Sequence, residues 1–171
     1  MDGQAVTYAN VFAQLESRYA ATSEPFVLCG LSLGAILALD YAIRHGEQLS
    51  SLVLIGVQYK VPTLLIDFQN LIFRCMPRKA VEAMDISKPD MIQLPHSMRS
   101  LDFRAKLNEV SCPVTIVCGQ KDHAGSCIRY NKAWHKNTGI PLEWIENAGH
   151  NSNTDAPNVV NALIEQFILQ I

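Results

Sequence analysis

The stretch FVLCGLSLGAILALD, residues 26–40, decides the fold of this chain. An apolar run with strand character, Phe26–Cys29, enters Gly30-Leu31-Ser32-Leu33-Gly34 and passes directly into an Ala/Leu/Ile-rich helical pattern. A G-x-S-x-G sequence between a strand and a helix is a nucleophile elbow, a sharp turn that lifts one serine hydroxyl above the carboxyl end of a sheet. The turn predicts a strained backbone at Ser32, with Gly30 and Gly34 leaving room for the neighbouring chain.

A serine hydroxyl is a poor nucleophile until a histidine takes its proton, and that histidine needs a carboxylate to hold its tautomer. In chains that use this elbow the order is Ser, then Asp or Glu, then His. Two later segments fit. PVTIVCG, residues 113–119, is a short β-branched run that places Asp122 just past a strand end, and LEWIE, residues 142–146, does the same for His150. The three residues would meet at the carboxyl edge of one parallel sheet, where ligands bind in open α/β sheets. Each also has a plainer reading: Ser32 as a turn serine, Asp122 as a turn or N-cap residue, His150 as a surface loop histidine. The rival acids Asp67, Asp85, Asp90 and Asp102 follow no convincing strand. His123 adjoins Asp122 and is too close in sequence to fold back onto it, and His96 and His135 have no motif around them. His45 reads as a cation near a helix C-terminus.

These residues resemble the α/β-hydrolase superfamily, particularly its small bacterial members: esterases, enol-lactonases, cofactor-free haloperoxidase-like proteins and thioesterases. The similarity is carried by LCGLSLGAILALDYAIRHG with SLVLIG after it, by CPVTIVCGQKD, and by ENAGH followed by a terminal helix. It spans nearly the whole chain from about residue 5. The resemblance implies an α/β fold: a mostly parallel sheet flanked by helices, forming the C-terminal part of the hydrolase fold and truncated at the N-terminus. It further implies a serine hydrolase acting on a small carboxylic ester, lactone or thioester, with a small-molecule acyl substrate as partner. Ser32 would attack the acyl carbonyl, His150 would move the proton, Asp122 would orient His150, and the backbone N–H of Leu33 would bind the oxyanion. No cofactor or metal is implied. Residues 58–110 would form a cap or lid within a single domain, 1–171. There Phe68, Phe73, Met76, Met84 and Met91 either face substrate or are plain core.

The family's first four strands find no counterpart before residue 26, nor does the loop that supplies a second oxyanion donor. Strand 26–29 is thereby left as a sheet edge, which invites pairing. Three readings follow: a fragment of a longer product, a chain completed through that edge by a second copy or by the missing N-terminal half, or a non-catalytic remnant that self-associates.

Composition agrees with a single soluble domain. The chain has 171 residues, 49% hydrophobic and 18% charged, with a net charge of −2. The charges are scattered, so no nucleic-acid-binding face is expected. No run approaches the ~18 apolar residues of a membrane span, and the start, MDGQAVTYAN, lacks signal-peptide features. Five cysteines is an odd number. Cys29, Cys112 and Cys118 read as small buried hydrophobes in a reducing compartment, no Cys/His spacing suggests zinc, and a cytoplasmic location is expected.

Other elements are placed by periodicity. Val6, Ala9, Phe12, Leu15 and Tyr19 predict an amphipathic helix ending near Ala21. The elbow helix should run from Leu33 to His45 with Gly46 as its C-terminal cap, and Ser51–Val57 should be a doubly covered strand. Residues 64–76 predict a helix with Leu65, Phe68, Leu71, Ile72 and Cys75 on one face, after which Pro77, Pro89 and Pro95 punctuate the chain. Short helices are expected over 102–110 and 125–137, the second anchored by Trp134. A final helix should begin near Ala156, with Asp155 as N-cap and a buried stripe of Val159, Val160, Leu163, Ile164, Phe167 and Ile168.

Overall fold

Continuous apolar runs of four to seven residues, each followed by a helical pattern, build a parallel sheet because the crossover helices cover both faces. The computed structural model describes residues 5–77, 81 and 87–170. Four strands form one sheet in the order β1 (Phe26–Leu31), β2 (Leu49–Ile55), β3 (Val114–Gly119) and β4 (Leu142–Ile145), every neighbouring pair parallel. The register sets Leu31 opposite Ile55, Ile55 opposite Val117, and Gly119 opposite Ile145. The carboxyl ends of all four strands therefore lie along one edge. The described residues divide into two compact units.

The unit formed by residues 22–59 and 103–170 contains the sheet. Alternation along the strands splits its apolar residues between two faces. On one, Val53, Ile55, Val117 and Ile145 pack with Val160 of the C-terminal helix Pro157–Leu169, and Leu163, Ile164 and Phe167 of that helix close over them. On the other, the Phe26 ring meets Tyr41 of helix α2 (Leu33–His45), with ring centroids 6.2 Å apart. Cys118 meets Cys127 there, at the start of the helix Cys127–Thr138. Trp134 of that helix is buried with its ring edge-on to Tyr59, 5.9 Å away. The C-terminal helix departs from its expected stripe: Val159 is 52% and Ile168 43% exposed.

The unit formed by the described residues up to Ala21 and from Lys60 to Asp102 is helical. Helix α1 spans Tyr8–Tyr19, with the Thr7 side chain accepting from the Asn10 N–H as its cap. Val6 precedes this helix, and the buried face is Tyr8 and Phe12. Helix α3 (Thr63–Cys75) buries Ile66 and Asn70 instead of the face expected from Phe68, Leu71, Ile72 and Cys75, all four of which are exposed. Helix α4 (Lys88–Ser97) is present despite its prolines: Pro89 sits in the first turn, where a missing N–H costs nothing, and Pro95 falls in the last. Its residue Met91 is buried. Met84 and Asp85 lie outside the described residues.

Two local expectations are corrected and one holds. Gly46 is the C-cap of α2 as expected; with φ −59 it is right-handed, and it opens a 3-10 turn, Gly46–Gln48. A Cβ there would stand 2.5 Å from Ser111 Oγ, so a larger residue would require that hydroxyl to swing aside. The segment 102–110 forms only a 3-10 turn, Leu107–Glu109. Asp155 ends a short helix, α6 (Ser152–Asp155), and Ala156 is the residue that precedes the last helix, α7 (Pro157–Leu169). The helix Cys127–Thr138 is accordingly α5. Among the described residues no helix is long and apolar enough to cross a membrane.

Candidate active site

The strand-to-helix turn at residues 30–34 is as sharp as its glycines suggest. Ser32 has φ 55 and ψ −113, a backbone conformation that L-residues rarely adopt and that costs on the order of 1–3 kcal/mol. Its own backbone is held on both sides: its N–H donates to the Ile55 carbonyl at 3.0 Å and its carbonyl accepts from the Ile36 N–H at 3.1 Å. A Cβ on Gly30 would lie 2.3 Å from the Gly34 carbonyl oxygen and 2.7 Å from the Ala35 nitrogen, so only glycine lets the strand pass beneath the helix. Gly34 is different from expectation. A Cβ there meets no described atom of the neighbouring chain within 4 Å.

Ser32 precedes α2 in the N-cap position yet makes no side-chain capping bond. Its hydroxyl points to His150 instead, with Oγ 2.7 Å from Nε2. On the far side of the ring, Nδ1 lies 2.9 Å from Asp122 Oδ2. Ser32, His150 and Asp122 thus form one continuous chain of hydrogen bonds, its acid fully buried and its histidine side chain 25% exposed. Asp122 is fixed by its second oxygen, which accepts the Ala124 N–H at 2.9 Å. His123 stays exposed in the loop beyond. Two rival acids are occupied elsewhere, Asp67 by Arg99 at 2.8 Å and Asp102 by Lys60 at 3.7 Å.

The loops carrying Asp122 and His150 are bound to each other. The Gln120 N–H donates to Ile145 at 3.0 Å and the Lys121 N–H to Ala148 at 2.8 Å. This approach is close enough that a Cβ on Gly119 would stand 2.1 Å from the Gly149 carbonyl oxygen. Asn147 turns the second loop with φ 59, and the Gly149 N–H donates to Asp155 Oδ2 at 2.7 Å. Asp155 therefore caps the histidine loop, not the last helix.

At the end of β2, between the strand ends that bear Ser32 and Asp122, stands Gly56. Its φ is +59, and a Cβ there would lie 3.2 Å from both Cε1 and Nδ1 of His150. Sequence reasoning gave Gly56 and Gly119 no role and read Asp155 only as a helix N-cap. A glycine immediately after each of two strand runs, IG and CG, was the available signal. Leu33 is the first residue of α2, directly after Ser32, so its N–H has no acceptor within the helix.

Behind Asp122 lies a second group that spacing did not suggest. Cys118 and Cys127, both buried, sit with their sulfurs 3.9 Å apart. The hydrogen bond from Cys127 draws the Cys118 thiol pKa below its usual range, while that bond, burial and the Asp122 carboxylate push Cys127 up. Cys29, expected to be buried, is exposed on β1, and Cys112 is partly buried.

No protein-family model matches the sequence, and comparison with curated proteins finds no match. Solved structures do match. An esterase from Exiguobacterium antarcticum superposes with a TM-score of 0.82 at 19% identity, over 96% of this chain and 75% of its own. The enol-lactonase from Burkholderia xenovorans gives 0.79 at 16% identity, over 98% and 75%. A thermophilic esterase from Thermogutta terrifontis, solved with malate bound, gives 0.73 at 19%, over 98% and 74%. The parallel sheet, the elbow after β1 and these superpositions agree on one architecture: this chain has the α/β-hydrolase fold.

Proposed function

We propose that this chain is a serine hydrolase acting on a small carboxylic ester, lactone or thioester. The observation that carries the reading is the unbroken hydrogen-bond chain from Ser32 Oγ through His150 to Asp122. Ser32 Oγ attacks the acyl carbonyl as His150 Nε2 takes its proton, and the imidazolium that forms is stabilised by Asp122 at Nδ1. The Leu33 N–H, at the positive end of α2, faces the oxygen that becomes negative. Collapse of the tetrahedral intermediate returns the proton from His150 to the leaving alcohol or thiol. Water then repeats the sequence on the acyl-enzyme, releasing the acid and restoring Ser32. Acyl transfer of this kind needs no cofactor, and the esterase and enol-lactonase among the similar structures are in keeping with the substrate class.

Labelling with a fluorophosphonate probe tests the reading. Covalent modification at Ser32, abolished by Ser32→Ala and by His150→Ala, is the expected result. A folded protein whose serine does not react would overturn it in favour of a non-catalytic member of the fold.

A further inference from the structure

We propose that Cys118, Asp122 and Cys127 form a binding site for a thiophilic divalent cation, zinc or cadmium, directly behind the Ser32–His150–Asp122 chain. The two sulfurs and a carboxylate oxygen of Asp122 lie within 4.8 Å of one another, and all three residues are buried. A tetrahedral zinc with Zn–S bonds of about 2.3 Å holds its sulfurs about 3.8 Å apart. The observed Sγ–Sγ separation is 3.9 Å. A disulfide, by contrast, would require the sulfurs to close to about 2.05 Å. Two thiolates with one carboxylate are the donor set of the zinc class, not of magnesium or calcium.

A second observation points the same way. Asn131 is fully buried beside this group, with its amide nitrogen 3.2 Å from Cys127 Sγ and its Oδ1 without a hydrogen-bond partner among the described residues. The two ends of an amide are assigned from their surroundings; turned over, Asn131 would offer its oxygen to a cation held by the sulfurs as a neutral fourth donor, in exchange for the contact between its nitrogen and Cys127 Sγ.

Binding replaces the two thiol protons, which leave to solvent, so that two thiolates and a carboxylate face a charge of +2. Asp122 is common to this site and to His150, and a cation drawing on its carboxylate competes with the Nδ1 contact that orients the imidazole. Occupancy would therefore slow the serine. This coupling rests on the hydrolase reading; the binding does not.

The test is titration of the reduced, metal-free full chain with Cd²⁺ alone, read by the ultraviolet thiolate-to-cadmium charge-transfer band. The band should saturate at one equivalent and survive replacement of Cys29, Cys75 and Cys112 by Ser. Cys127→Ser, with folding verified by circular dichroism, should weaken binding more than about tenfold, since even outer partners of a metal site contribute that much. Cys118→Ser should do the same, and if it fails to fold, Cys127→Ser decides. No band in the wild type, a band that survives Cys127→Ser, or a band lost with the three other cysteines overturns the proposal. So does a reduced protein that lacks two thiols and ignores Cd²⁺, because the pair is then a disulfide. Fluorophosphonate labelling should slow as the band grows and recover with a chelator. Unchanged labelling at saturation would overturn the coupling alone.

Discussion

Gly56 lies flat against His150: a side-chain carbon at that position would stand 3.2 Å from two atoms of the imidazole and 3.4 Å from Asp122 Oδ2. The strand end between Ser32 and Asp122 is kept bare, and the histidine stands against the space a side chain would fill. Gly56→Ala should fail twice over. Alanine at φ +59 is strained by about 1–2 kcal/mol, and its methyl presses the ring off the Ser32–Asp122 line. We expect lowered thermal stability together with at least a tenfold loss of ester hydrolysis, since small misplacements of reacting groups cost up to about 10² in rate. Differential scanning calorimetry and a p-nitrophenyl acetate assay measure the two effects.

Ser32→Ala and His150→Ala should each abolish most hydrolysis, on the order of 10⁶-fold, and the double variant should be little worse because such residues act as a unit. Additive losses in kcat would place the activity elsewhere.

The strain at Ser32 separates two substitutions that both remove its hydroxyl. Ser32→Gly relieves the φ 55 conformation, whereas Ser32→Ala keeps it. Urea denaturation should find the glycine variant more stable by about 1 kcal/mol, the low end of the cost of such a backbone. Equal midpoints would mean that the turn is unstrained.

The two elbow glycines are unequal. At Gly30 a methyl would collide with backbone 2.3 Å away, while at Gly34 it meets no described atom within 4 Å. Gly30→Ala should be destabilised by about 1–3 kcal/mol or more, as overpacked sites are. Gly34→Ala, near the start of a helix, should be neutral or more stable by up to about 1 kcal/mol. Thermal melts of both variants decide.

Strand β1 ends the sheet, and among the described residues no strand pairs with its outer edge. We expect the chain to associate through Phe26–Leu31 with a second copy, seen as concentration-dependent mass in light scattering. A charge on an edge strand opposes such pairing. Cys29→Lys, on an exposed position, should therefore shift the chain toward monomer. A wild type that stays monomeric at high concentration would overturn the expectation.

The strands and α2 were legible because each is a long run with one period, bounded by Gly or Pro. The placements of Ser32, Asp122 and His150 were legible because each follows such a run. What the sequence hid is set by tertiary contact. Asp155 has the ordinary look of an N-cap, but the Gly149 N–H six residues back claims its carboxylate. Helix α3 shows a clean apolar stripe, yet it is Asn70 that is buried and Phe68 that is 63% exposed. Periodicity gives a helix a face without saying which neighbour covers it. The cysteine pair was hidden for the same reason: nine positions separate Cys118 from Cys127, and only the packing of α5 on β3 joins them.

Ser32 and His150 touch across a sequence separation of 118 residues, and Asp122 reaches His150 across 28. No local remnant of the chain can reproduce that contact. Any partly unfolded form that loosens β3 or β4 holds a serine of ordinary alcohol reactivity. With Ser32 as the nucleophile proposed above, the rate of covalent labelling there would gauge the native population, and it would follow unfolding of the sheet in a cell extract without purification or an optical probe.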